Sequence, residues 1–266
     1  MWFKNLSLFR LLQPINLERT QIEACLQKQA FQACGSLEAF TYGWVPPLGD
    51  QHVALSHFSE NRIWVTMQRE DKVLPASTIR DRVREKVEAI QDQDGKILGR
   101  KAREAIREEV LQDMLPRAFS QKQRISAYLD LESNWLIVDT ASAKKAEDVV
   151  ATLRKSFGSF SVKPFSTQRA PSELMTEWVR SGAMPSHLTL EAECELKTEE
   201  KEGSVIRCQR QALVSPEMKL HLEAGKRVTK LALSFDDRLG FVLGEDWVIR
   251  KLKFLDLIQE ESALLD

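Results

Sequence analysis

The side chains best placed to do chemistry in this chain are cations at helical spacing. Lys96, Arg100, Arg103 and Arg107 follow at steps of four, three and four, which puts them in one stripe if a helix is continuous through them. Gly95 and Gly99 weaken the first turn of such a helix, so Arg100, Arg103 and Arg107 are its firm members. Three aligned guanidinium groups repel one another unless something anionic faces them, and a duplex backbone is one such anion. The competing reading is a solvated face, with Arg100 and Glu104 an attractive i, i+4 pair and Arg103 and Arg107 a repulsive one. A second set is Lys144 and Lys155, eleven apart and therefore on nearly one azimuth, with Lys145 and Arg154 beside them and Asp148 diluting the stripe. A third set, Lys226, Arg227 and Lys230, is followed by Arg250, Lys251 and Lys253. None of these clusters is specific alone; several phosphate-reaching groups on one surface would be.

Other chemistries have weaker support. Glu132, Asp139 and Lys144 could meet around a hairpin and a helix start, as the carboxylates and lysine of a metal-dependent nuclease do, because magnesium takes oxygen ligands and a positioned water. Such groups also arise by chance at strand ends. Gly225-Lys226-Arg227-Val228-Thr229 lacks the upstream glycine and the hydroxyl after the lysine that a phosphate loop requires, and reads instead as a helix C-cap glycine before a basic turn. Cys25, Cys34, Cys194 and Cys208 form no CxxC pair, and His52, His57, His187 and His221 do not complete a four-ligand zinc set, so no metal or other cofactor is expected. There is no GxGxxG, GxSxG or HExxH, and no basic motif interleaved with aromatics. If nucleic acid is the partner, contacts to backbone phosphate are expected rather than base reading.

Composition sets the frame for these groups. The 266 residues carry 38 Lys and Arg against 39 Asp and Glu, a net charge of −1, so the chain is not basic in bulk. Charge is nonetheless uneven: residues 80–107 hold nine cations and six acids, whereas 191–202 is mostly acidic. At 43 % apolar and 29 % charged, the composition is globular and excludes a disordered or collagen-like chain. No apolar run reaches the roughly 20 residues of a spanning helix, and the start lacks the features of a secretory signal. Four cysteines in so long a chain make no disulfide framework, and a reduced, cytoplasmic setting is expected.

Hydrophobic periodicity gives an α+β chain. Strands are expected over 2–12, 53–58 and 63–68, and a helix over 17–30 capped by Asn16, with Ile22, Leu26 and Ala30 inward. Residues 42–49 read as a rigid turn, given Pro46, Pro47 and the flanking glycines. Two long helices follow, over 75–93 and 100–115, the first nearly 30 Å long at about 1.5 Å per residue, enough for a projecting arm. A hairpin over 125–139 leads into a helix over 143–157 with Ala146, Val149, Val150, Leu153 and Phe157 inward. Then come a strand over 160–165 and a helix capped by Ser172 that stops near Gly182. Strands over 188–196 and 205–209, a helix over 216–223, and strands over 228–235 and 239–243 complete the alternation. In the strand from Val228, residues Thr229, Leu231, Leu233 and Phe235 are expected to face the core and Lys230 to face out. The stretch 254–266 looks helical and ends with no stop signal, so the natural domain is expected to extend further. Four stretches result: an N-terminal α+β region (1–74), the helical arm (75–118), a central hairpin–helix region (119–185) and a C-terminal α+β region (186–266).

Several short blocks add a resemblance. MWFKNL at 1–6, GWVPPLG at 43–49, LPRAFS at 115–120, VDTASAKKAEDVVATLRKSFGS at 138–159, TEWVRSG at 176–182 and EAGKRVTKLALSFDDR at 223–238 resemble, in order and across nearly the whole length, the recombination-associated RdgC family of proteobacteria. The resemblance implies a nucleoid-associated DNA-binding protein without enzymatic activity. Its subunit would be a horseshoe of mixed antiparallel sheets and helices that closes head to tail as a ring-shaped homodimer around duplex DNA, leaving single strands as an open second ligand. It would restrain RecA by occupying DNA; a scaffold that touches RecA itself is the blander alternative. The same resemblance places Phe119, Arg210 and Gln211 at ring-closing contacts, with Arg210 standing where lysine also occurs. Phe119 has an equally good reading as a core aromatic. Lys144 and Lys145 become lumen residues, and the acidic stretch 191–202 part of the exterior. Relatives continue past Asp266.

Overall fold

In the computed structural model, residues 2–95, 97–200 and 203–255 are described. The chain is α+β, as its periodicity predicts. Its elements in order are β1 (Ser7–Leu11), α1 (Arg19–Gln27), β2 (Phe40–Val45), β3 (Ser56–Ser59), β4 (Arg62–Val73), α2 (Ala76–Asp94), α3 (Arg100–Met114) and β5 (Phe119–Asp130). After these come β6 (Trp135–Val138), α4 (Ala143–Phe157), β7 (Val162–Pro164), α5 (Pro171–Ser181), β8 (Leu188–Lys197) and β9 (Val205–Gln209). The last are α6 (Pro216–Glu223), β10 (Arg227–Phe235), β11 (Leu239–Gly244) and β12 (Ile249–Phe254). The expected terminal helix over 254–266 falls outside the described residues except for Phe254, which closes β12, and Leu255.

The elements gather into two compact units, and β4 and β5 contribute residues to both. The first unit draws on Met1–Asn16, Phe58–Trp64 and Ala127–Asp266. Here β6 pairs antiparallel with both β5 and β1, and β1 pairs with β7, in the register Leu129↔Leu136 and Ser7↔Val138. Leu129, Leu136 and Val138 are buried; full burial of such side chains is worth about 1.5–3 kcal/mol each. Helix α4 has the predicted bounds. Ser142 caps it by accepting from the Lys145 amide, Gly158 leaves it at φ 77°, and Ala146, Val149 and Leu153 are buried.

A second, five-stranded sheet in this unit runs β12-β11-β10-β8-β9. Met175 and Val179 of α5 and Met218 and Leu222 of α6 pack with Leu196, Val228, Leu231 and Leu243 into one core. The strict alternation expected in β10 fails. Register shifts lie between Val228 and Lys230 and between Leu231 and Leu233, so Val228 and Leu231 reach the core although three apart. Phe235, expected inward, is 40 % exposed at the strand's end. Helix α5 starts one residue before the expected cap: Ala170 is at the N-cap and Pro171 opens the helix, a position where a missing amide costs nothing.

The second unit comprises Leu17–His57 and Val65–Ser126. Helix α1 is shorter than predicted and is not capped by Asn16; Glu18 holds that place, its amide donating to Gln21 Oε1 at 2.9 Å. Ile22 and Leu26 are buried, as the spacing predicts. Glu23 fastens the helix by accepting from the Leu55 amide (2.7 Å) and Ser56 Oγ (2.6 Å). Residues 42–45 are not turn but the end of β2, and the reversal begins only at Pro46. Gly43 is needed there for close approach: a Cβ would lie 2.5 Å from Phe31 Cα, where the Phe31 amide donates to Trp44 O and the Trp44 amide to Gln29 O.

The expected arm is a helical hairpin. Gly95 ends α2 in the left-handed region at φ 65°, and α3 follows after a short connection. Val87, Ile106 and Val110 are buried between the two helices, flanked by Val83, Ile90 and Met114. Lys86 ties the pair by bonding Glu109 at 2.7 Å and approaching Asp113 at 3.8 Å.

Candidate nucleic-acid interface

The arginine stripe forms as its spacing predicts. Arg100, Arg103 and Arg107 are all exposed on α3, a helix continuous through all three. Arg103 Nε donates to the Leu98 carbonyl (3.1 Å), and none of the three makes an ion pair among the described residues, not even Arg100 with Glu104. Lys96, the expected first member, lies outside the described residues.

Helix α4 presents a second cationic element. Lys144 and Lys155 are exposed and share an azimuth about 16 Å apart along the axis. Lys144 and Lys145 lie in the first turn, which carries no acidic residue. A cation there opposes the helix dipole and costs stability unless an anion is near.

The C-terminal cations have a different environment. Arg227 bonds Glu199 at 2.5 Å and lies 3.7 Å from Glu173; Lys230 reaches Glu195 at 3.2 Å; Lys251 bonds Glu193 at 2.8 Å; and Arg250 bonds Asp246. A phosphate would have to displace these carboxylates. Lys253 is exposed on β12 and Lys226 half-buried, neither in an ion pair among the described residues. The Gly225-Lys226 turn is the one expected: Gly225, at φ 83°, leads out of α6 into β10.

The centre of this network is a residue that sequence reasoning missed. Glu195 is 5 % exposed and accepts from Arg207 Nε (3.0 Å) and Lys230 Nζ (3.2 Å), with Lys197 at 3.5 Å and the Thr229 hydroxyl also donating. Burial pushes its carboxyl up, but the Arg207 and Lys230 hydrogen bonds and the neighbouring lysine charges outweigh this and bring it down to about 2. The acidic stretch expected outside is therefore turned inward at this position. Its signal was present only as a glutamate directly opposite Arg207 once β8 and β9 are paired. In the same ladder Cys194 faces Cys208, both buried, and burial pushes the Cys194 thiol up to about 12.

Of the residues in the nuclease reading, Glu132 and Asp139 lie at opposite ends of the β5–β6 hairpin. Asp139 Oδ1 accepts from the Lys4 and Asn5 amides at 3.0 and 2.9 Å, holding the chain ahead of β1. Glu132 sits in the β5–β6 turn, its amide donating to Asp130. Among the described residues no group of three His, Cys, Asp or Glu could hold a metal ion, and no helix is long and apolar enough to cross a membrane.

Phe119 is not in the core. It opens β5, is 87 % exposed, and borders a cleft of about 810 Å³ with Val73, Leu74, Pro75, Met114 and Ala118. Arg210 and Gln211 are exposed in the loop after β9, with Arg210 at φ 57°.

Comparison with known proteins agrees with the blocks seen in the sequence. A family model described as "Putative exonuclease, RdgC" matches residues 1–266. The chain is 41 % identical over 262 residues to the recombination-associated protein RdgC of Tolumonas auensis, covering 98 % of this chain and 87 % of that one. The protein of the same name from Aeromonas hydrophila is 42 % identical over 262 residues (98 % and 86 %). That of Proteus mirabilis is 41 % identical over 266 residues (100 % and 88 %).

Proposed function

The chain belongs to the RdgC family, and from that premise we propose that it binds duplex DNA through backbone phosphates, without sequence preference and without catalysing a reaction. One observation carries the reading: Arg100, Arg103 and Arg107 stand exposed on one face of α3, outside any ion pair among the described residues, in a protein of net charge −1. Their mutual repulsion is not relieved by an ion pair among the described residues, and a row of phosphates would relieve it. Lys144, Lys145 and Lys155 of α4 are a second contact set in this proposal. The engaged cations Arg227, Lys230 and Lys251, with Lys226 and Lys253, are an auxiliary one.

The proposed assembly is a homodimer that closes as a ring through Phe119, Arg210 and Gln211. An aromatic left 87 % exposed beside a cleft lined by both apolar and charged residues supports a second copy of the chain as its cover. Lumen cations would displace condensed counterions, and closure would slow dissociation because the duplex must slide out or an interface must open. Occupied DNA would be closed to RecA, so recombination would be restrained at the nucleoid without contact with RecA. The engagement of Asp139 by two backbone amides supports the non-catalytic reading over a nuclease built on Glu132, Asp139 and Lys144.

A salt titration of duplex binding tests this. Each neutralised phosphate contributes about −0.9 to the slope of log K against log salt. The combined substitution Arg100→Gln, Arg103→Gln, Arg107→Gln is expected to make the slope shallower by about three per chain and to weaken binding equally on unrelated sequences. Salt-independent affinity, or an unchanged slope in the triple variant, would overturn the proposal.

A further inference from the structure

The α2–α3 hairpin is short of core. Among the described residues, helices of 19 and 15 residues bury only Val87, Ile106 and Val110 between them, and Ile79, Val83 and Ile90 along α2 are left half-covered. Two helices normally bury their apolar stripes against a further layer. On one flank the gap is a cleft of about 540 Å³ floored by Ile79, Val83 and Val87. Its length along α2, from Ala76 to Gln91, is about 22 Å at 1.5 Å per residue, or four helical turns.

Charge distinguishes this flank from the other. Around the Phe119 cleft, Arg82 is paired with Glu85 and Lys86 with Glu109 and Asp113, leaving Arg117 as the lining cation outside an ion pair among the described residues. Around the Ile79–Val87 floor stand Arg80, Arg84, Arg103 and Arg107 against the single carboxylate of Glu88. Arg84 reaches exposed Asp81 at 2.7 Å, whereas Arg80 and Arg103, among the described residues, bond backbone carbonyls through Nε and no carboxylate. Four guanidinium groups thus frame an apolar floor from both helices.

We propose that this groove docks an acidic amphipathic helix of another protein, adding a third helix to the hairpin. Its apolar side chains, at i, i+3, i+4 and i+7, would lie on Ile79, Val83 and Val87, and its flanking carboxylates would meet the four arginines. The apolar floor decides between ligand classes: a phosphate backbone gains nothing from valine and isoleucine, whereas a helix with leucines on one face does. Arg103 and Arg107 belong to both this groove and the proposed DNA contacts, so the two ligands would compete for the hairpin, while Arg100 lies outside the groove.

The test uses the full chain and a fluorescein-labelled 15-residue synthetic peptide with leucines at i, i+3, i+4 and i+7, glutamates flanking that face and alanines elsewhere, read by anisotropy. Control peptides carry the same composition with the leucines scrambled, or lysine in place of glutamate. The expected result is binding of the first peptide at least tenfold tighter than either control. Ile79→Gln, which leaves every arginine in place, should lose at least tenfold for the peptide and nothing for duplex DNA. Because Ile79 is half-buried, Arg80→Gln with Arg84→Gln, both exposed, provides a second variant with the same expected peptide loss. Equal binding of the scrambled peptide would reduce the site to charge alone and overturn the proposal. So would Ile79→Gln weakening duplex binding while sparing the peptide, which would assign this face to DNA. Arg100→Gln should weaken DNA binding and spare the peptide, so failure of the DNA reading and failure of this one give different results.

Discussion

A buried carboxylate keeps its charge only while its cationic partners stay in place, and Glu195 is such a residue. Arg207, Lys230 and Lys197 converge on it, and the Thr229 hydroxyl donates to it. Removing its charge leaves those cations without their partner and forfeits charge-assisted bonds worth about 1.5–3 kcal/mol each. Glu195→Gln is therefore expected to lower unfolding stability at pH 7 by about 2–3 kcal/mol. The pH dependence has a definite sign. The folded carboxyl titrates at about 2, below the roughly 4.3 of an unfolded glutamate, so its stabilisation is fully present above that unfolded value and is lost as pH falls through about 2. Urea unfolding of parent and variant at pH 7 and pH 2.5 should show a gap that narrows on acidification; a constant gap would mean that packing, not charge, holds the site. This residue was illegible in the sequence because its meaning comes from β9 and β10 together. Acidic neighbours at 191, 193, 199 and 200 make it look like one more solvated charge.

At the scale of elements, α4 shows a conflict between stability and the proposed binding. A lysine in the first turn of a helix opposes the macrodipole by about 0.3–1 kcal/mol. Lys144→Gln should accordingly raise thermal stability slightly while making the salt slope of duplex binding shallower by about one. A stability gain with no change in slope would remove Lys144 from the interface. The bounds of this helix were readable because Ser142 caps it and Gly158 leaves it at positive φ; α2 likewise ends at Gly95, and α3 gives way at Pro116. Where punctuation was weaker, boundaries moved. Asn16 and Ser172 are good capping residues, yet Glu18 and Ala170 hold those places because Gln21 supplies the partner in one case and Pro171 fixes φ in the other. The first half of β5, Phe119–Arg124, was not legible as strand because both its faces are exposed and no alternation marks it. Strand β12 was hidden behind its cations. The arginine stripe, by contrast, depends only on local spacing and was read directly. Which other cations were engaged was not, since Arg227 finds Glu199 and Glu173, and Lys251 finds Glu193, only through strand pairing and helix packing far along the chain.

For the whole molecule, a net charge of −1 forbids attraction to DNA by bulk charge, so affinity must come from where the cations stand and residence time from how the assembly closes. Phe119 separates these two contributions. Being 87 % exposed, it supports little of the subunit's own fold, and Phe119→Ala should change subunit stability by no more than about 0.5 kcal/mol. If a second copy covers it, it is a buried aromatic anchor of the interface, and its truncation should cost about 2 kcal/mol or more, roughly a thirtyfold weaker dimer. Sedimentation equilibrium of parent and variant measures that loss. The same substitution leaves Arg100, Arg103 and Arg107 untouched, so the initial encounter with DNA and its salt slope should be preserved. What should change is escape: on closed circular duplex the parent is held until an interface opens, whereas on a short linear fragment either protein can slide off an end. Phe119→Ala is therefore expected to speed dissociation from circles far more than from short linear duplex. Equal acceleration on both would mean that the dimer binds along one side of the duplex and does not encircle it.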